Sequence, residues 1–70
     1  MGLQIVLDAT GDGRHTFNPA DDKEIEIARN RFRRLVSRGY SAFDKQSGRR
    51  LSGFDPTVTE TLFVPHLHGG

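Results

Sequence analysis

The feature that most constrains the fold of this 70-residue chain is a pattern that predicts one amphipathic helix over more than a quarter of its length. Asn18 is a favoured helix N-cap, Pro19 suits the first helical position, and Gly39 is typical of the residue just beyond a helix end. Between them, apolar residues recur at intervals of three and four, as they do on one face of a helix: Ile25, Ala28, Phe32, Leu35 and Val36. The pattern predicts a helix over residues 19–38 with a single apolar stripe.

The two ends of this helix carry further signals. Asp21 lies at the third helical position, where a carboxylate reaches back in a capping box. Gly39 followed by Tyr40 predicts a Schellman ending in which Tyr40 packs on Leu35.

The first residues of the chain predict a half-buried strand. Leu3, Ile5 and Leu7 alternate with Gln4 and Asp8, which is the period of a strand with one apolar face. Val6 breaks the alternation and suggests that the second face of this strand is partly covered.

The remaining segments alternate between turn signals and short strand signals. The glycine-rich segment 10–13 predicts a turn, because glycine adopts positive φ without steric cost. Further strands are predicted at residues 14–17, 40–43, 49–54 and 57–64. The order β-β-α-β-β-β predicts an α+β fold with one helix on one face of a mostly antiparallel sheet of four or five strands. Residues 1–70 then form a single domain, with residues 65–70 as a C-terminal tail.

Composition limits the classes of function. The chain has no cysteine, which excludes disulfides and thiolate zinc sites, and a domain of this size has little core in which to place a deep active site. The serines lack a neighbouring base and orienting group, and segment 10–13 lacks the lysine and following helix of a phosphate loop. We expect no enzymatic activity and no cofactor. No secretory signal or apolar run of membrane-spanning length is present, which favours the cytoplasm of the producing cell.

Arginines on the second half of the helix are the first candidate interaction site. Acidic residues occupy the first half, an arrangement that also complements the helix dipole. The candidate residues are Arg31, Arg34 and Arg38, joined by Arg49 and Arg50. Net charge is only +1, which disfavours nucleic acid as the partner, whereas arginine is enriched at protein interfaces. The patch therefore predicts docking to other protein subunits.

The tail is the second candidate site. His66 and His68 point the same way on an extended chain and thus have the spacing of a metal-chelating pair, but a solvated polar tail is the favoured interpretation, so no metal is assigned. Gly69 and Gly70 form a thin end that fits a narrow groove or exposes a carboxylate to an enzyme.

Two resemblances add to these patterns. The element order, the size and the terminal glycine pair resemble ubiquitin-like β-grasp proteins. The chain also resembles small uncharacterised proteins of tailed phages and prophages, in residues 6–12, 35–43 and 54–56 and in the terminal glycine pair. The second resemblance implies a role in a virion or its assembly.

Three functions follow as hypotheses. The first is a non-catalytic structural or accessory interaction module, in a phage virion or a similar assembly. The second is a ubiquitin-like modifier or sulfur carrier that acts through Gly69 and Gly70, and the third is a small nucleic-acid-binding regulator that uses the helix arginines.

Overall fold

The computed structural model describes residues 1–8 and 11–65, which form a small α+β domain. Its elements are β1 (Gly2–Asp8), β2 (Gly11–Phe17), α1 (Asp22–Ser37), β3 (Ser41–Asp44), β4 (Arg50–Leu51) and β5 (Glu60–Val64). The predicted combination of one helix with a sheet is confirmed for this part of the chain, and the sheet is mixed.

The five strands lie in the order β2-β1-β5-β3-β4. β1 pairs parallel to β5, while the β1–β2, β3–β5 and β3–β4 pairs are antiparallel. The parallel pair therefore joins the first and the last strand of the described residues. Strand β2 forms one edge of the sheet, and the two-residue β4 forms the other.

The helix covers one face of the sheet. Val6 is paired with Phe63 and Phe63 with Ala42, so these three side chains share the helix-facing side. They meet Phe32 and Leu35 of α1 in a core to which Tyr40, Leu51 and Phe54 are added at the periphery. Phe63 is completely buried, and its ring lies 5.5 Å from that of Phe32 in an edge-to-face arrangement.

The helix begins three residues later than predicted. Its N-cap is Asp21, whose Oδ1 accepts hydrogen bonds from the backbone N–H groups of Lys23 at 2.9 Å and Glu24 at 3.4 Å. Asn18 instead closes a local turn by accepting a hydrogen bond from Ala20 N–H. Two capping residues stand close together in the sequence, and only the later one caps the helix.

The predicted Schellman ending is confirmed. The helix ends at Ser37, and Gly39 has a φ of 99°, a conformation that favours glycine. Gly39 N–H donates to Val36 O at 3.0 Å, and Tyr40 N–H donates to Leu35 O at 3.1 Å. Tyr40 packs against the core cluster that contains Leu35.

Several predicted strand limits are wrong. Gly11, Asp12 and Gly13 belong to β2 and not to a turn, because each pairs with a residue of β1. β3 is shifted by one residue, and β4 covers two of the six residues predicted. β5 starts at Glu60 because Asp55 holds the preceding residues in a turn, accepting from Thr57 N–H at 2.9 Å.

β1 is partly covered on both of its faces, as the interruption of its alternation by Val6 predicts. Gln4 lies on the helix-facing side and is fully buried, whereas Leu3 and Leu7 lie on the opposite face and are only half-buried. Ile5, also on that face, is buried beside Leu62. A hydropathy pattern assigns glutamine to the solvent because it does not include the hydrogen-bond partners that the helix provides.

Gly2 provides a direct test of this packing. A Cβ atom at Gly2 would overlap the ring of Phe17, which is buried and lies 5.7 Å from the ring of Phe54. We expect Gly2→Ala to lower the free energy of unfolding by about 1–3 kcal/mol, because the ring has to move within a packed core. Urea denaturation measures the change.

Gly53→Ala is the matched control. Gly53 has open space around its Cβ position and no positive φ, so the free energy of unfolding should change by less than about 0.5 kcal/mol. Equal effects of the two substitutions would contradict the described position of Phe17.

Candidate functional site: a basic cleft

A cleft of about 550 Å³ lies between α1 and the β1–β2 hairpin. One wall comes from the helix and is formed by Arg31, Arg34, Leu35 and Arg38. The other comes from the two strands and is formed by Val6, Asp8, Gly11, Gly13 and His15. We call this feature the basic cleft, since its lining carries three guanidinium groups and one carboxylate.

Helical geometry and strand register build the two walls. Arg31, Arg34 and Arg38 are spaced by three and four residues and thus form one stripe along the helix. Val6 pairs with Gly13, which places both on the helix-facing side of the hairpin. Gly13 has no side chain there, and a Cβ atom at this position would come into ordinary contact with His15 and Val6.

Gln4 orients the innermost arginine. Its side chain is fully buried, and its Nε2 donates to Ala28 O at 3.0 Å. Its Oε1 accepts a hydrogen bond of 2.9 Å from Arg31 Nη1. The guanidinium of Arg31 is therefore held by the sheet, so that less rotamer entropy is lost when it binds a ligand.

The electrostatics of the cleft disfavour additional positive charge. Partial desolvation, followed by the positive charge of Arg31, lowers the pKa of His15 below its usual value. Desolvation and then the neighbouring Arg34 lower the pKa of Arg31, which nevertheless stays protonated at neutral pH. The three guanidinium groups of the lining outnumber its one carboxylate, that of Asp8, so the cleft is suited to binding negative charge.

The structure brings together three of the predicted site residues and separates two. Arg31, Arg34 and Arg38 share the basic cleft, whereas Arg49 and Arg50 line a different depression of about 400 Å³ beside Phe54. The pKa of Asp55 near that depression is lowered, chiefly by its hydrogen bond from the Thr57 hydroxyl and only to a lesser degree by Arg49. The other predicted site residues, His66, His68, Gly69 and Gly70, lie outside the described residues.

Sequence reasoning missed the contributions of the hairpin. His15 enters the cleft because it pairs with Gln4 in the β1–β2 register. The predicted strand began at Arg14. Had it begun at Gly11, as β2 does, the alternation of its side chains would have placed His15 on the same face as Gly11 and Gly13. The role of Gln4 had no signal in the hydropathy pattern.

Within 1–8 and 11–65, no group of three or more histidine or acidic residues is arranged to hold a metal ion. No helix in the described part of the chain is long and apolar enough to cross a membrane.

Comparisons with known proteins add no assignment. No protein-family model matches the chain, and neither a curated protein nor a solved structure matches it significantly. A function for this chain is therefore inferred from the geometry of the basic cleft.

The two hydrogen bonds of Gln4 can be tested by a change of similar shape. Gln4→Leu keeps most of the volume but loses both bonds, so we expect the free energy of unfolding to fall by about 1–3 kcal/mol. Gln46→Leu, at an exposed turn residue, should stay within about 0.5 kcal/mol of the parent protein. Urea denaturation distinguishes these outcomes, and equal stability of the two variants would contradict a structural role for Gln4.

Proposed function

We propose that this chain is a non-catalytic interaction module that binds an acidic segment of a partner protein in its basic cleft. The observation that carries the proposal is the convergence of three arginines on one cleft, with Arg31 already oriented by a buried glutamine. Arginine binds carboxylates through two parallel hydrogen bonds, which makes acidic side chains well-matched ligands.

The size and lining of the cleft favour a peptide segment over a nucleic acid. Arg31 and Arg38 are seven residues apart, which is about 10 Å along a helix axis. Since Arg49 and Arg50 lie elsewhere, the basic surface does not extend into a track for a phosphate backbone. Val6 and Leu35 also line the cleft and offer apolar contacts to a peptide between its acidic residues.

The proposed setting is a larger assembly in which the module contacts other subunits, such as a tailed-phage virion. Its support is the resemblance of the sequence to small phage proteins. A relationship to the β-grasp fold is part of the same proposal, and it is supported by the hairpin, the helix on one sheet face and the central parallel pair of β1 and β5.

Charge reversal in the cleft tests the function. An octaglutamate peptide carrying a fluorophore should bind the parent protein, and Arg34→Glu combined with Arg38→Glu should weaken binding at least about tenfold, since two favourable charge contacts become repulsive. Fluorescence anisotropy measures the affinity, and circular dichroism confirms that the variant is folded.

Arg49→Glu combined with Arg50→Glu is the matched control, with the same change of charge outside the cleft. It should retain most of the affinity. An equal loss in both variants would show that net charge and not the cleft governs binding. Tighter binding of a single-stranded oligonucleotide with the same number of charges would instead support the nucleic-acid hypothesis.

Binding should also depend on pH through His15. Desolvation and the nearby Arg31 lower the pKa of His15 in the free protein, which favours the neutral imidazole at about pH 7.5. An acidic ligand favours the imidazolium and raises this pKa, so binding takes up a proton and strengthens as the pH falls from about 7.5 to about 5.5. Affinity measured across this range should lose most of that dependence in His15→Ala. A slope unchanged by the substitution would place the titrating group outside the cleft.

A further inference from the structure

Strand β2 presents a long, regular edge. All seven of its residues pair one-to-one with β1, without a bulge, and no proline interrupts them. No strand of the described residues pairs with its outer side. At about 3.3 Å per residue the edge is roughly 23 Å long, which is sufficient to template a further strand.

The side chains of β2 are divided between the two faces of the sheet. Phe17, His15, Gly13 and Gly11 lie on the helix-facing side, since they pair with Gly2, Gln4, Val6 and Asp8 of β1. Asp12 and Arg14 lie on the opposite, open face, and both are exposed. The open face of this edge thus carries one negative and one positive charge, which are two positions apart in the sequence.

We propose that β2 pairs antiparallel with β2 of a second copy of this chain, about a twofold axis that passes at Gly13. In this register residues 11–15 of the two copies pair. Asp12 of each copy lies directly opposite Arg14 of the other, which gives two equivalent ion pairs. On the helix-facing side, Gly13 meets its own equivalent and Gly11 lies opposite His15, so no two bulky or like-charged side chains face each other.

The charges select this register over its neighbours. In a symmetric antiparallel pair, the residue at the axis faces its own equivalent. An axis at Arg14 places the two copies of Arg14 opposite each other, and an axis at Asp12 does the same for Asp12. Like charges directly opposite each other are destabilising. Only the axis at Gly13 pairs each aspartate with an arginine.

The dimer joins the two sheets into one. A twofold axis perpendicular to the sheet places both helices, and hence both basic clefts, on the same side. A partner with two acidic segments would then engage both clefts at once and gain avidity. The pairing itself does not depend on what the clefts bind, because Asp12 and Arg14 lie on the opposite face.

Charge exchange between copies tests the pairing. Sedimentation equilibrium is measured at roughly 0.15 M salt, where exposed charges more than about 8 Å apart are screened and repulsion between the clefts is reduced. The parent protein should show a concentration-dependent dimer. Arg14→Asp alone and Asp12→Arg alone should each weaken it by about tenfold or more, because both cross-strand pairs become repulsive.

Two combinations should restore the dimer. An equimolar mixture of the two single variants should form a heterodimer, since one chain supplies two acidic residues and the other two basic residues. The double variant Asp12→Arg/Arg14→Asp should self-associate as the parent does, with each pair reversed. Lys45→Asp, at an exposed turn residue away from β2, is the control for net charge and should leave the association unchanged.

Each contrary result would overturn the pairing. A parent protein that remains monomeric at about 1 mM excludes it as a useful association. Single variants that dimerise like the parent exclude the ion pairs, and failure of both the mixture and the double variant to recover association excludes the register. Circular dichroism of every variant shows whether it is folded. If one single variant is unstable, the double variant still tests the register.

Discussion

The helix is held on the sheet by a small aromatic core at its C-terminal half and by the buried amide of Gln4 nearer its middle. The core fixes the distance between α1 and the sheet through Phe32 and Phe63. The amide of Gln4 orients the helix relative to the sheet, because it joins β1 both to the backbone at Ala28 and to the guanidinium of Arg31. A buried polar group of this kind stabilises only when its partners are present, so it restricts how the helix can rotate on the sheet.

Because the rotation of the helix is restricted in this way, one side of it packs in the core while a flank lines the basic cleft. With a rotation of about 100° per residue, Ala28, Phe32 and Leu35 point to the sheet, and the cleft arginines follow along one flank. Arg29 lies on the other flank, where it pairs with Glu26 at 2.7 Å and lies over the ring of Phe54. The helix arginines therefore do not form a single patch. Those on the flank of Arg31 line the basic cleft, and Arg29 on the other flank does not.

Helical periodicity predicted the helix, and Gly39 with Tyr40 predicted its C-terminal ending, because these signals depend on spacing within one segment. Arg31, Arg34 and Arg38 were placed together only as charges on the second half of the helix. The strand limits depended on pairing between segments, which is why Gly11 and Gly13 were assigned to a turn although the register with β1 places them in a strand. Arg49 and Arg50 were grouped with the helix arginines by charge alone, and no local pattern indicated how far from α1 they lie. The burial of Gln4 required knowledge of both of its partners.

Strand β2 contributes little to the core, and this is the physical reason that it is free to serve two surfaces. Only Phe17, at its end, is buried, while its other residues are exposed or half-buried. Gly11, Gly13 and His15 line the basic cleft, whereas Asp12 and Arg14 carry the charges on the open face. Because a strand alternates its side chains strictly, a change at Asp12 or Arg14 leaves the lining of the cleft intact, and a change at His15 leaves the open face intact. Binding of an acidic segment and pairing of two copies are therefore separable by mutation even though they share seven residues of backbone.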